Sequence, residues 1–559
     1  MPGKVKYTDR ISDRSAAREK WICWGILLFL VVLRQLFAAG IPVFVRLSNS
    51  DDVLMVRMAE GLIRGDWLGK YYGVLLMKGC FFPMFLAAVN SLKGSYLQML
   101  TAVHSASCLF FVSQIRGLIR KPRMRVILAA VLMFDPCSFA KRSFQEVYRN
   151  SITIPQVLLI FGAIIGLYLA FGENRYKDFL KAAFAGFMMW GFWNTREDAV
   201  WLLPFFVTAL AVTVLKGVLS DKTRKNIIIS ILICIMPVMM ILAGNQFIIR
   251  SNLAHYGSPV RLESVDGEFA RMMKTIYSVK PEEEIPYCSV PQEKLQRLYA
   301  VSPTLDLIHE RLDQKCQEYG AIDRNQHDGE VEDGWFFWSL KWAAWEAGKT
   351  DSLPEAEQYY RQIREEIETA LDTPGSGVER SRTMPSALMS PWRKGYGAQL
   401  ARKMKDGVLY IAGSKEIETT VEVIAEGSTP DLFEQVTGDR YIREGEAASE
   451  QMKAAERAVT RATFVTRLYQ VINPLILLLS LALLIRLIYI SIKRKTAEHC
   501  QLFLVIAGMW LSIIVMLGGV AYTDITAFFA VNYYYMAGAF PLMLAGEWMI
   551  LLYTAEHPH

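Results

Sequence analysis

Long apolar runs are the feature that most constrains what this chain of 559 residues can fold into. Runs of roughly 18–25 residues recur along it, and a helix of that length crosses a hydrocarbon core about 30 Å thick. The pattern predicts a mainly α, polytopic helical membrane protein. The candidate stretches are 21–45, 74–92, 96–115, 124–140, 151–171, 179–194, 199–217, 226–249, 464–488, 500–519 and 527–553.

The charge of the connecting loops indicates which of these stretches cross the membrane. A basic tail precedes the first run, which predicts an uncleaved signal anchor with its N-terminus in the cytoplasm. If every stretch crossed, the strongly basic loops would face outwards. If 74–92 instead stays at the outer interface, the loops 116–125, 172–181, 216–225 and 489–496 all become cytoplasmic. We therefore expect about ten spans with both termini cytoplasmic, in a bacterial plasma membrane.

This topology divides the chain into three parts. Residues 1–249 form a transmembrane module of seven helices with a long first outer loop at 46–95. Residues 250–462 form an extracytoplasmic soluble domain, and 463–559 add a three-helix membrane segment. The net charge of +6 lies largely in short loops, which indicates orientation in a membrane and not nucleic-acid binding.

The soluble insert has mixed patterns, so we expect an α+β domain. The apolar period of 354–371 predicts a helix, whereas 408–412 and 418–424 resemble short strands. The aromatic stretch 334–348 fits either a belt on the outer leaflet or, with more weight, a helix whose aromatic residues fill the core. The thiols of Cys288 and Cys316 leave a disulfide and two free cysteines both open.

The outward loops carry acidic and basic residues that converge if the topology holds. Carboxylates beside hydrocarbon are costly unless they are solvated, paired or used, and guanidinium groups bind phosphate oxygens bidentately. One interpretation is a site in which an acid activates a hydroxyl and cations hold a lipid phosphate. The other, given equal weight on the residues alone, is that the charges pair and orient helix ends. The candidates are Asp51, Asp52, Arg57, Lys78, Glu146, Arg149, Arg196, Glu197, Asp198 and His255. His255 is included because it follows the seventh predicted span closely, at the membrane depth expected for a substrate site.

Four segments of these loops resemble the C-type glycosyltransferase (GT-C) superfamily, which includes protein O-mannosyltransferases, aminoarabinose transferases and oligosaccharyltransferase catalytic subunits. The segments are SNSDDVLMVRMAEGLIRGDWLG, KGCFFPMFLA, RSFQEVYRN and NTREDAVWLLPF. The resemblance covers about 1–250 and implies that Asp51 or Asp52 is the catalytic base. It also implies that the arginines and Lys78 stabilise a departing lipid phosphate.

The resemblance implies a glycosyltransferase that moves a sugar from a polyprenyl-phosphate donor to an extracytoplasmic glycan, lipid or protein. The second loop departs from the family, because Gln145-Glu146 stands where an Asp-x-Asp or Asp-x-Glu pair is common. This departure leaves a requirement for a divalent cation, Mg²⁺ or Mn²⁺, open. The alternatives are a transporter or lipid flippase, which would favour broken helices and repeated halves, and a non-enzymatic receptor or scaffold.

Overall fold

The computed structural model describes residues 5–48, 51–319, 329–381, 390, 392–423, 428–443, 450–495 and 499–558. Within these ranges the chain is mainly helical, and its extended segments form isolated bridges and no strand. The first part contains α1 (Val5–Ala38), α2 (Asp52–Arg64), α3 (Phe81–Ser91), α4 (Tyr96–Gln114), α5 (Pro122–Met133), α6 (Thr153–Leu169), α7 (Arg175–Trp193), α8 (Leu203–Ser220) and α9 (Arg224–Tyr256).

The later helices belong to the insert and the C-terminal segment. The insert contains α10 (Gly267–Ser278), α11 (Gln292–Val301), α12 (Pro303–Asp306), α13 (His309–Tyr319), α14 (Asp333–Glu346), α15 (Leu353–Asp372), α16 (Tyr396–Ala412) and α17 (Ser428–Thr437). The helix α18 (Glu450–Arg494) begins in the insert and continues into the C-terminal segment, which also contains α19 (Cys500–Thr526) and α20 (Ala539–Glu556).

Seven helical segments in the described ranges are long and apolar enough to cross a membrane, which supports a multi-pass membrane protein. They are Arg18–Ala38, Tyr96–Gly117, Arg149–Leu169, Ala199–Ser220, Arg224–Tyr256, Glu450–Arg494 and Cys500–Thr526. The expected number of ten is not confirmed. The stretches 124–140, 179–194 and 527–553 lie largely in α5, α7 and α20, which do not meet the same criteria.

Two of the shorter apolar helices are too short to cross a membrane by themselves. The helix α5 has 12 residues and is roughly 18 Å long, too short for the hydrocarbon core. The segment 74–92 forms a 3-10 turn followed by α3, which has 11 residues and cannot cross alone.

The insert is helical where strands were expected. The helices predicted at 354–371 and 334–348 are present as α15 and α14. The strand prediction for 408–412 is wrong, because this run ends the amphipathic helix α16, whose apolar face packs against α19. Residues 418–423 have no regular structure, and the remaining residue of that prediction lies outside the described ranges.

The insert shares one hydrophobic core with the first long loop. The amide of Glu263 donates to the Leu76 carbonyl at 2.8 Å, and the Tyr71 hydroxyl donates to the Glu263 carboxylate at 3.2 Å. Lys341 of α14 forms a fully buried ion pair with Glu263 at 2.6 Å. Cys288 and Cys316 are buried free thiols in the same insert. The loop and the insert therefore form one packed unit.

The parallel helices α4 and α6 define two ends of the bundle. Close packing of Gly162 against Phe110, and of Gly166 against Gln114, aligns them in the same direction. At the end of the bundle where α4 and α6 begin, the Tyr96 hydroxyl donates to the Glu146 carbonyl at 3.4 Å. We call the opposite end, where the loops 116–125, 172–181 and 216–225 gather, the basic end.

Candidate functional site

A group of charged side chains meets at the end of the bundle opposite the basic end. Several of these residues immediately precede or begin a helix, where the partial positive charge of the helix N-terminus favours carboxylates. Asp51 precedes α2, Arg149 begins the turn that leads into α6, and Asp198 precedes the turn that leads into α8. We call this group the charged cluster; it consists of Arg46, Asp51, Lys78, Glu146, Tyr148, Arg149, Arg196, Glu197 and Asp198.

Asp51 is a partly exposed carboxylate at the centre of the cluster. Its Oδ1 accepts a hydrogen bond from the Tyr148 hydroxyl at 2.9 Å and lies 3.5 Å from the Lys78 ammonium. Its Oδ2 lies 3.5 Å from the Arg46 guanidinium, and 30% of the side chain stays exposed. Burial raises the pKa of Asp51, but Lys78, Arg149 and the Tyr148 hydrogen bond outweigh it and hold the pKa below its ordinary value. The carboxylate is therefore ionised near neutral pH and open to solvent.

Asp52 has a different environment, although it is the next residue. Its carboxylate is fully buried and accepts backbone N–H groups of the loop before α2, from Leu47 at 3.2 Å and Ser48 at 2.7 Å. It also accepts the N–H of Val53 at 3.0 Å. Burial raises the pKa of Asp52 and these hydrogen bonds only partly offset it. Asp52 thus shapes the loop that presents Asp51.

Lys78 joins the cluster from the extended residue after the 3-10 turn at Leu75–Met77. Its ammonium lies between Asp51 and the ring of Trp338 in α14, 5.2 Å from the ring centroid. Only 13% of the side chain is exposed. Burial and the nearby Arg149 lower the pKa of Lys78, and Asp51 partly opposes this. The insert therefore contributes one wall of the cluster.

Arg149 connects the loop that carries Tyr148 to the loop that carries Glu197. Its Nε donates to the Tyr148 hydroxyl at 3.0 Å, and its NH1 group donates to the Thr195 carbonyl at 3.2 Å and to the Glu197 carboxylate. Burial raises the pKa of Glu197, but Arg149 and Lys78 outweigh it, so the pKa lies below its ordinary value. Tyr148 therefore bridges Asp51 and Arg149.

Two further carboxylates are held by arginines. Asp198 accepts two hydrogen bonds from Arg196, at 2.7 and 2.8 Å, in the bidentate geometry typical of this pair. Glu146 lies between Arg46, at 2.7 Å, and Arg142, at 2.8 Å. Burial nevertheless raises the pKa of Glu146. Much of the cluster is therefore a network of ion pairs. Asp51 differs from the other carboxylates in its contacts to cations, which are longer, at 3.5 Å.

Two candidate residues have their contacts outside this group. The Arg57 side chain is exposed on α2 and interacts with Tyr72. His255 stacks on Trp67 with ring centroids 6.0 Å apart, and its Nδ1 lies 2.9 Å from the Ser251 carbonyl. His255 therefore lies in the packing between the first loop and the end of α9, whereas the Arg57 contact stays within the first loop.

The cluster does not fit a divalent cation. In the part of the chain that the structure describes, no group of three or more His, Cys, Asp or Glu side chains is arranged to hold a metal ion. The Asp51 carboxylate faces Lys78 and Arg46, and Glu197 is held by Arg149. These cations repel a divalent ion at the same oxygens, so we derive no step through a metal.

The sequence did not single out two residues of the cluster, Arg46 and Tyr148, or its neighbour Trp338. Arg46 directly follows the first apolar run and precedes the acidic segment, and this position was the available signal. Tyr148 lies inside the RSFQEVYRN segment, but a tyrosine there has many structural roles. Trp338 is 260 residues from Lys78 in the chain, and no local pattern connects them.

Comparisons of the chain with models of known families, with curated proteins and with solved structures gave no match. The cluster's geometry is thus the basis for assigning a function.

Proposed function

We propose that the chain is a membrane glycosyltransferase of the GT-C type. It moves a sugar from a polyprenyl-phosphate donor to an acceptor outside the cytoplasm. The observation that carries this proposal is Asp51, an ionised and accessible carboxylate beside the Lys78 ammonium and one hydroxyl away from Arg149. An acid–cation pair of this kind suits the transfer of a group from a phosphate to a hydroxyl.

In the proposed reaction, Asp51 accepts the proton of the acceptor hydroxyl while the hydroxyl oxygen attacks the anomeric carbon of the sugar. The bond between that carbon and the phosphate oxygen breaks, and the electron pair leaves with the polyprenyl phosphate. Lys78 and Arg46 are the cations closest to Asp51 and would stabilise the charge of the leaving phosphate. Arg149 holds Tyr148 against Asp51 and thereby fixes the orientation of the base.

The proposal places the charged cluster and the insert outside the cytoplasm and the basic end inside it. The positive-inside bias supports this, because the arginines and lysines of three short loops gather at the end opposite the cluster. Of the two neighbouring acids, we assign the role of base to Asp51 and a positioning role to Asp52.

The test is mass spectrometry of surface glycans and glycolipids from a deletion strain. The strain is complemented with either the parent protein or the Asp51→Asn variant. Asparagine keeps the volume and the Tyr148 contact but cannot take a proton at neutral pH. We expect the product missing from the deletion strain to return with the parent and to fall by about a hundredfold or more with Asp51→Asn.

The matched control is Asp66→Asn, since Asp66 is an exposed carboxylate of the same loop and lies outside the cluster. It should restore the product to the parental level. An unchanged glycan and glycolipid profile in the deletion strain would contradict the proposed function. Full activity of Asp51→Asn would remove the proposed base.

A further inference from the structure

A second site lies at the basic end, far from the charged cluster. A cavity of about 280 Å³ opens between the end of α4 and the segment that connects α6 to α7. Its charged lining comes from Arg116, Lys177 and Lys181 against a single carboxylate, Glu173. Positive charge therefore exceeds negative charge in the cavity.

Two of its cations are free to bind a ligand. Arg116 and Lys177 are exposed, and among the described residues neither side chain takes part in an ion pair or hydrogen bond. Lys181 donates to the Gly166 carbonyl at 2.8 Å. Lys216 similarly donates to the carbonyls of Tyr168 and Leu169. These bonds cover the C-terminal carbonyls of α6, whose partial negative charge would otherwise oppose an anion.

The surface beside the cavity is apolar. On α7, within three residues of Lys177, the side chains of Tyr176, Phe179 and Leu180 are 70%, 43% and 46% exposed. In a membrane protein such a surface faces the acyl chains, and the cations above it lie at the level of the headgroups. The cavity and this surface together match an amphiphile with an anionic head.

We infer that the cavity bounded by Arg116, Lys177 and Lys181 binds the phosphate headgroup of an anionic phospholipid, whose acyl chains lie along α7. Basic pockets between membrane helices recognise anionic headgroups by charge, and each nearby Lys or Arg adds to the attraction. The site does not depend on the proposed transferase activity, because it involves no residue of the charged cluster.

Native mass spectrometry of the full chain tests this inference. The protein is mixed in detergent with phosphatidylglycerol or with phosphatidylcholine of the same acyl chains. The detergent is then removed in the gas phase, and the number of lipids that stay bound is read from the mass. We expect phosphatidylglycerol to be retained preferentially. The double variant Arg116→Gln with Lys177→Gln should lower its apparent affinity about tenfold or more, and Arg116→Lys with Lys177→Arg should restore it.

The matched control is Lys222→Gln with Arg224→Gln, which removes two exposed cations from the same end but outside the cavity. It should leave retention within about twofold of the parent. Equal retention by the first double variant, or an equal loss in the control, would overturn the site. Full displacement of the lipid by inorganic phosphate would show that the site takes a free anion and would also overturn it.

Discussion

Asp51 and Asp52 show how strongly the surroundings of a carboxylate determine its role. Asp51 keeps 30% of its side chain exposed and faces two cations at 3.5 Å. Asp52 is buried and surrounded by backbone N–H groups. The sequence places both residues at the same point of the loop, so their different roles become visible only through the fold.

Glu197 provides a prediction about stability and pH. Its pKa is lowered chiefly because Arg149 and Lys78 outweigh the effect of burial, so its contribution to stability is complete above the ordinary glutamate pKa. The contribution is lost as the pH falls through the lowered pKa. We expect Glu197→Gln to cost on the order of 2 kcal/mol at pH 7, and this cost should shrink below about pH 4.

The midpoint of thermal unfolding in detergent, recorded from pH 7 to pH 3 for parent and variant, measures this difference. Asp66→Asn changes an exposed carboxylate in the first loop and should leave the midpoint close to the parental value throughout. A Glu197→Gln difference that stays constant across the range would rule out the Arg149 pair as its source.

The helix α14 connects the insert to the first long loop. Trp338 covers Lys78, and one turn later Lys341 pairs with Glu263, whose amide donates to Leu76. The turn that carries Lys78 is therefore held by the insert on two sides. The helix itself was predicted from its aromatic residues, but its partner in the first loop was not.

Removal of one charge of the Lys341–Glu263 pair should be costly. The Lys341→Met variant leaves the Glu263 carboxylate buried beside Tyr71 without its cation, and we expect a loss of about 3–5 kcal/mol. The double variant Lys341→Met with Glu263→Leu removes both charges and should recover much of this loss.

Thermal unfolding followed by circular dichroism gives both values in the same detergent. Lys274→Met, which removes an exposed lysine of α10 in the same insert, is the control for the loss of a positive charge. If the double variant were as unstable as Lys341→Met, the uncompensated carboxylate would not be the cause.

At the level of elements, the sequence predicted helices well where apolar residues recur with helical spacing, as in α15. It failed for 408–412, because a short run of Val, Leu, Tyr and Ile fits a strand as well as the buried end of a helix. The expected count of ten spans is not confirmed, and apolar sequence does not reveal that α5 ends after 12 residues.

For the whole molecule, sidedness is the decisive property. We expect Asp66→Cys to react with a membrane-impermeant maleimide on intact cells, because it lies in the loop that carries Asp51. Arg120→Cys, at the basic end, should react only after the membrane is permeabilised. Both variants are made with Cys500→Ser, since Cys500 is the exposed cysteine of the described residues. Labelling of Arg120→Cys on intact cells would place the cluster in the cytoplasm and contradict the proposed function.

The site as a whole was predictable in part. Loop charge indicated that acids and bases from separate loops would share one end, and the structure brings together eight of the ten candidate residues around the loop that Asp52 shapes. Arg57 and His255 were included for their sequence position, which does not give the direction of a side chain. The contribution of Trp338 depends on tertiary packing and has no sequence signature.

The continuous helices α9 and α18 have a practical consequence. They contain 33 and 45 residues, roughly 50 and 68 Å, so each extends well beyond a hydrocarbon core of about 30 Å and into the insert. Small membrane proteins are hard to align in electron cryomicroscopy because a detergent micelle hides their features. On the proposed topology these two helices hold a folded body clear of the micelle, and we expect this body to guide the alignment of particle images.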